Sequence, residues 1–117
     1  MATILVADDE QRIRLLYERE LRAESYRVLL AKNGDEALEK LRSEQIDLVV
    51  LDIRMEGKDG LETLPEILSE RRHIKVILNT AYSEFRADFS SWAADAYVVK
   101  SSDLDELKKS IRALLEK

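Results

Sequence analysis

The sequence predicts an α/β fold, a doubly wound (βα)5 domain whose parallel sheet has strand order 2-1-3-4-5 and helices on both faces. Three observations carry this. Short apolar runs alternate with amphipathic segments of helical period along the chain, and such alternation demands a parallel sheet covered on both sides. The stretch Asp47 to Asp52 (DLVVLD) is apolar between its acids, as a central parallel strand requires. With 117 residues, one proline and three glycines, the chain has room for one domain (1–117) and shows no linker, repeat or low-complexity segment.

Each element can be justified in order. Thr3 to Ala7 (TILVA) is a compact strand ending in Asp8, Asp9 and Glu10, acids that suit a helix N-terminus. Ile13, Leu16, Tyr17 and Leu21 then recur at helical spacing. Arg27 to Leu30 is a weaker second strand. Asn33-Gly34 turns the chain into a helix carrying Ala37, Leu38 and Leu41. Strand 3 is Asp47 to Asp52, and the charged loop Arg54 to Asp59 leads through Gly60 to a helix with Leu61, Leu64 and Leu68. Pro65 is awkward inside that helix, since it removes a backbone donor. Thr63-Leu64-Pro65-Glu66 also fits a capping box with proline in the first turn, which leaves a late start or a restart there open. Lys75 to Leu78 is strand 4. Phe85, Phe89 and Trp92 share a face of a short fourth helix and are expected to pack in the core, with a partly exposed Trp92 marking a partner-binding patch as the alternative. Ala96 to Val99 is strand 5, and Asp103 to Glu106 opens a fifth helix that buries Leu104, Leu107, Ile111, Leu114 and Leu115.

Bulk properties narrow the function. Hydrophobic residues make up 45% and charged residues 37%, as in ordinary globular domains. The longest apolar runs are far too short to span a bilayer, and no charged segment followed by an apolar one opens the chain. Cysteine is absent, which removes disulfides and thiolate metal sites and makes the cytoplasm the default location. The net charge is −5 with basic residues scattered among acids, so direct nucleic-acid binding is not expected.

In an open sheet of this order, ligands bind at the carboxyl ends of the strands near the switch point. Those ends carry Asp8 and Asp9, Asp52, Asn79 and Thr80, and Lys100. Three carboxylates converging there would raise one another's pKa unless neutralised. Lys100 offsets part of the charge, and a hard cation with few protein ligands, Mg²⁺, suits the rest. A carboxylate is also a nucleophile toward phosphorus. Transfer of a phosphoryl group chiefly needs positioning and charge neutralisation, and Asp52, between the other groups, is the natural acceptor.

Asp8-Asp9 after strand 1, Asp52 with Met55 and Asp59-Gly60 downstream, Thr80-Ala81, and Tyr97 three residues before Lys100 together resemble the receiver domain of two-component response regulators. The resemblance covers essentially the whole chain and implies a flavodoxin-like fold. It makes Asp52 the phosphoacceptor, with Asp9 a direct Mg²⁺ ligand, Asp8 acting largely through water and the backbone carbonyl of Arg54 completing the metal site. It implies that Thr80 and the Ala81 amide hold one phosphoryl oxygen and Lys100 another, and that Tyr97 is an aromatic switch moving inward as Thr80 turns toward the phosphoryl group. Arg54 and Tyr82 stand where family members tune hydrolysis, and their bulk is expected to shield the acyl phosphate. The implied donor is a histidine kinase or a histidine phosphotransfer protein. Output then passes to a downstream protein by contact or onward transfer, unless the chain is part of a longer regulator. The sequence leaves a homodimer through the fourth and fifth helices open.

Three positions depart from the family pattern. Glu56-Gly57 follows Met55 where proline is usual, which predicts a more mobile loop. Ser101 follows Lys100 where proline is usual, which predicts a trans bond and puts the reach of Lys100 in question. Thr80 to Lys100 is about two residues shorter than usual, which predicts a shortened fourth helix or preceding loop. These motivate an alternative, a degenerate receiver acting as an unphosphorylated interaction scaffold. Enzymes on this fold rank lower. An aspartate-type phosphatase wants an acid where Arg54 stands, and Asp8-Asp9-Glu10 would repel a flavin phosphate. Self-phosphorylation and self-dephosphorylation are expected, without turnover of an external substrate. His73, between Arg72 and Ile74, reads as plain surface, and the alternating charges of Lys108 to Lys117 as a solvated helix face.

Overall fold

The computed structural model describes residues 1–87 and 92–116. Its strands are β1 (Thr3–Ala7), β2 (Arg27–Ala31), β3 (Leu48–Leu51), β4 (Lys75–Thr80) and β5 (Ala96–Val99). Its α-helices among the described residues are α1 (Gln11–Ala23), α2 (Gly34–Ser43), α3 (Gly60–Glu70) and α4 (Asp105–Leu115). All strands pair in parallel, in the order β2-β1-β3-β4-β5, as the sequence predicts.

The side-chain period of two sorts the apolar residues into two layers. Leu5, Val49, Leu51, Val76 and Leu78 pack under α2 and α3 with Ala37, Leu38, Leu41, Leu64 and Ile67. Ile4, Val6, Leu48, Val50, Ile77 and Val98 pack under α1 and α4 with Tyr17, Leu21, Leu107, Ile111 and Leu114. The central strands are apolar on both sides because both sides are covered.

Local chemistry fixes the helix starts. The Asn33 side chain accepts from the Glu36 amide at 2.8 Å and caps α2. For α3 the earlier of the two starts that the sequence allows is the one that forms. The capping box is Asp59 with Glu62, not Thr63 with Glu66, and Pro65 sits inside the helix. Packing chose the earlier start. The Gly60 amide donates to the Ile53 carbonyl at 2.7 Å, and a Cβ on Gly60 would stand 2.1 Å from the Asp52 carbonyl oxygen, so only glycine lets α3 begin there. Thr63 is buried and donates its hydroxyl to the Asp59 carbonyl at 2.8 Å.

The predicted fourth helix lies partly outside the described residues; a 3-10 turn, Glu84–Ala87, stands where it should begin. Phe85 is half-buried against the core as expected, whereas Trp92 is 63% exposed and does not pack inside. Phe89 lies outside the described residues. His73 is exposed.

Candidate functional site

Asp8, Asp52 and Lys100 each stand one step past a strand, pinned by the last rung of the ladder. The Asp8 amide donates to Ala31 at 3.1 Å, the Asp52 amide to Ala7 at 3.0 Å and the Lys100 amide to Thr80 at 2.7 Å. Parallel registers Ala7–Leu51 and Leu51–Leu78 bring Asp8, Asp52 and Asn79 abreast at one sheet edge.

There the Lys100 ammonium lies 2.7 Å from Asp8 Oδ2 and 3.1 Å from Asp52 Oδ2. The Lys100–Ser101 bond is trans, and the lysine reaches both acids without the proline. Asp8 is fully engaged. Its Oδ1 accepts from the Glu10 amide at 3.0 Å, and its carbonyl accepts from the Arg14 guanidinium at 2.6 Å. Exposed Asp9 accepts from the Glu56 amide at 3.1 Å. Gly57 beside it has φ of 80°, a left-handed conformation that glycine adopts without a Cβ clash.

Asp52 Oδ1 is the exception. It is buried and finds no hydrogen-bond partner among the described residues, an arrangement that costs stability. Asp8, Asp9 and Asp52 each offer an oxygen, all within 4.8 Å of one another. Burial, with Asp8 adding to it, raises the Asp52 pKa from its ordinary 3.8 to about 6, against the pull of Lys100 and the Thr80 hydroxyl. Although burial works against its charge, Lys100 is held above the ordinary lysine range by Asp8 and Asp52. Two or three acids with one ammonium leave excess negative charge. A hard divalent cation bound through oxygen would relieve it and satisfy the orphan atom.

The remaining predicted residues frame this centre. Thr80 is buried at the end of β4 with its Oγ1 accepting from the Tyr82 amide at 3.4 Å, and Ala81 follows it on the surface. The Arg54 guanidinium stacks over Tyr82 at 5.3 Å and over Phe85 at 5.1 Å, while those two rings meet edge to face at 6.2 Å. The half-buried Tyr97 donates its hydroxyl to the Tyr82 carbonyl. Arg54 and Tyr82 thus share one stack, and Tyr97 ties into its backbone.

Sequence reasoning gave no role to Phe85 in that stack, to Gly60 as the seat of α3, or to the buried pair Tyr17 and Asn79. For Asn79 a signal existed, because a polar side chain interrupts the otherwise apolar β4 on an inward face.

Residues 4–112 match the response regulator receiver domain family. Transcriptional regulatory protein ZraR of Klebsiella oxytoca is 40% identical over 96% of this chain and 26% of that protein, so the chain spans about a quarter of that relative. Sporulation initiation phosphotransferase F of Bacillus subtilis is 33% identical over 96% of this chain and 92% of that protein. The structure of response regulator protein TrrA of Thermotoga maritima with Mg²⁺-BeF is 53% identical, with a TM-score of 0.94 over 97% of this chain and 99% of that one. TrrA in complex with histidine kinase ThkA superposes with a TM-score of 0.92, over 98% of this chain and 99% of that one. The fold, the acidic edge and these likenesses agree: the chain belongs to the response regulator receiver domain family.

Proposed function

We propose that residues 1–117 form a receiver that takes a phosphoryl group onto Asp52 from a phosphohistidine of a histidine kinase or histidine phosphotransfer protein. The observation that carries this is the buried, unpartnered Asp52 Oδ1 among three clustered carboxylates and one ammonium. The donor set suits Mg²⁺, held by Asp8, Asp9, Asp52 and the backbone carbonyl of Arg54. When bound, that ion neutralises phosphoryl oxygens and the excess acid charge. A carboxylate oxygen of Asp52 forms the bond to phosphorus as the bond from phosphorus to the histidine nitrogen breaks. Lys100, already at Asp52, pairs with one phosphoryl oxygen, and the Thr80 hydroxyl with the Ala81 amide holds another. Tyr97 responds as Thr80 turns, and the Arg54–Tyr82 stack slows hydrolysis.

Support comes from the TrrA structures, one with Mg²⁺-BeF and one with the kinase ThkA. The contact of Lys100 with both acids, despite Ser101, argues against a degenerate scaffold. Output goes to a protein partner rather than to an external substrate. No helix among the described residues is long and apolar enough to cross a membrane, and the absence of cysteine suits a cytoplasmic setting.

Acetyl phosphate or phosphoramidate with Mg²⁺, followed by intact-mass measurement, tests the reading. Wild type should gain one phosphoryl group and Asp52→Ala none. No gain on wild type, or an equal gain on Asp52→Ala, refutes it.

A further inference from the structure

Beneath the carboxylates lies a polar contact that the proposed reaction does not use. Asn79 Nδ2 donates to the Tyr17 hydroxyl at 2.6 Å, and both residues are 2% exposed. A buried amide and phenol must bond each other to avoid a desolvation cost, and an apolar pair of similar shape would carry no such cost. Stability alone therefore gives little reason for this pair.

Its position does. β3 and β4 pair with Leu51 beside Leu78, so the next rung sets Asp52 beside Asn79. By the period of two, Asp8 continues the row of Val6, Asp52 that of Val50, Asn79 that of Ile77 and Lys100 that of Val98. All four rows face the layer that contains Tyr17. Ile13, Leu16 and Tyr17 share with Lys100 and Ser101 the lining of a shallow apolar groove beside the site. The charges of Lys100, Asp8 and Asp52 also act on the Tyr17 hydroxyl, which lies within their field.

Lys100 needs such a wall. Its stem has four rotatable carbons, the exposed Ser101 after it supplies no ring to stiffen the backbone, and its amide has a single anchor on Thr80. Yet the ammonium is held on two carboxylates with its side chain 15% exposed. We infer that Tyr17, pinned through its hydroxyl by Asn79, is a positioning residue that walls the Lys100 stem and keeps its ammonium on Asp8 and Asp52. The inference rests on the phosphoacceptor reading and adds two residues to it.

The test is a cycle of phosphorylation rates with phosphoramidate and saturating Mg²⁺, using wild type, Tyr17→Phe, Lys100→Ala and the double variant. Small displacements of a reacting group cost up to ~100-fold, so Tyr17→Phe should slow the reaction by about 10- to 100-fold. In the Lys100→Ala background the same change should slow it by no more than about twofold, because the group being positioned is gone. A merely structural role predicts equal slowing in both backgrounds, and that result overturns the inference. So does a Tyr17→Phe rate within about twofold of wild type. Should Tyr17→Phe fail to fold, Asn79→Ala, which removes the pinning donor, carries the same cycle. If wild type takes up no phosphoryl group, the acceptor reading fails as well. If wild type reacts and the variants match it, only the positioning role fails.

Discussion

Asp52→Asn should stabilise the metal-free protein. Burial raises the Asp52 pKa from 3.8 to about 6, so the folded state binds this proton more tightly than the unfolded chain does. The folded wild type is therefore favoured in acid and loses stability as pH rises through that range. A pKa difference of this size corresponds to ~3 kcal/mol once pH exceeds 6. Asparagine carries no charge to desolvate and keeps the shape. Its amide must still find partners, so the gain expected at pH 8 is about 1–3 kcal/mol. Urea unfolding in EDTA, from pH 4 to 8, reads this directly. The advantage of Asp52→Asn should be largest at pH 8, shrink between pH 6 and 4, and vanish below the unfolded-state pKa of 3.8. Adding Mg²⁺ should reverse the order by raising the wild-type midpoint, since saturation at ~100 times Kd adds ~2.7 kcal/mol. An Asn variant no more stable than wild type at pH 8 in EDTA refutes the account of Asp52 as an under-compensated buried charge.

Two further perturbations probe the frame. Gly60→Ala places a Cβ 2.1 Å from the Asp52 carbonyl oxygen, backbone that cannot yield cheaply, so a loss of about 1–3 kcal/mol is expected as a lower urea midpoint with unchanged slope. An unchanged midpoint would show that α3 seats elsewhere. Arg54→Ala removes a guanidinium from two aromatic faces, a contact of about 0.5–1 kcal/mol at an exposed site. If that stack shields the acyl phosphate, its half-life should fall by about two- to fivefold, and an unaltered half-life removes the shielding role.

What was legible in the sequence was what local pattern decides. β1 and β5 begin and end where the apolar runs do, and Asp8, Asp9, Asp52, Thr80 and Lys100 meet at one edge because parallel topology aligns strand ends. The start of α3 was not legible, because Asp59-x-x-Glu62 and Thr63-x-x-Glu66 are both acceptable capping boxes. The choice between them depends on the fit of Gly60 against a carbonyl that the chain visited eight residues earlier. The aromatic spacing of Phe85, Phe89 and Trp92 suggested a buried helical face, yet Trp92 is exposed. Tyr17 and Asn79 each looked explicable alone, one as a helix-face residue and the other as a strand end. Their bond joins positions 62 apart, and no local pattern encodes that.

The departures from the family pattern acquire a physical reading in this light. Glu56 stands where proline is usual after Met55, and its amide reaches the Asp9 carboxylate, while Gly57 beside it adopts a left-handed conformation. A proline at position 56 has no N–H and could not donate that bond. The substitution therefore exchanges a rigid loop for one tied to the acidic cluster itself. At Ser101 the proline ring is lost, the Ser101 hydroxyl accepts instead from the Asp103 amide at 3.2 Å, and the constraint on Lys100 also comes from the far side, through the Thr80 carbonyl, Tyr17 and the carboxylates. A loop tied to Asp9 and a lysine tied to Asp8 and Asp52 both depend on the charge of the acidic cluster. Neutralising that cluster with a bound cation should thus loosen both ties together. That makes the two altered positions parts of one response rather than two separate losses.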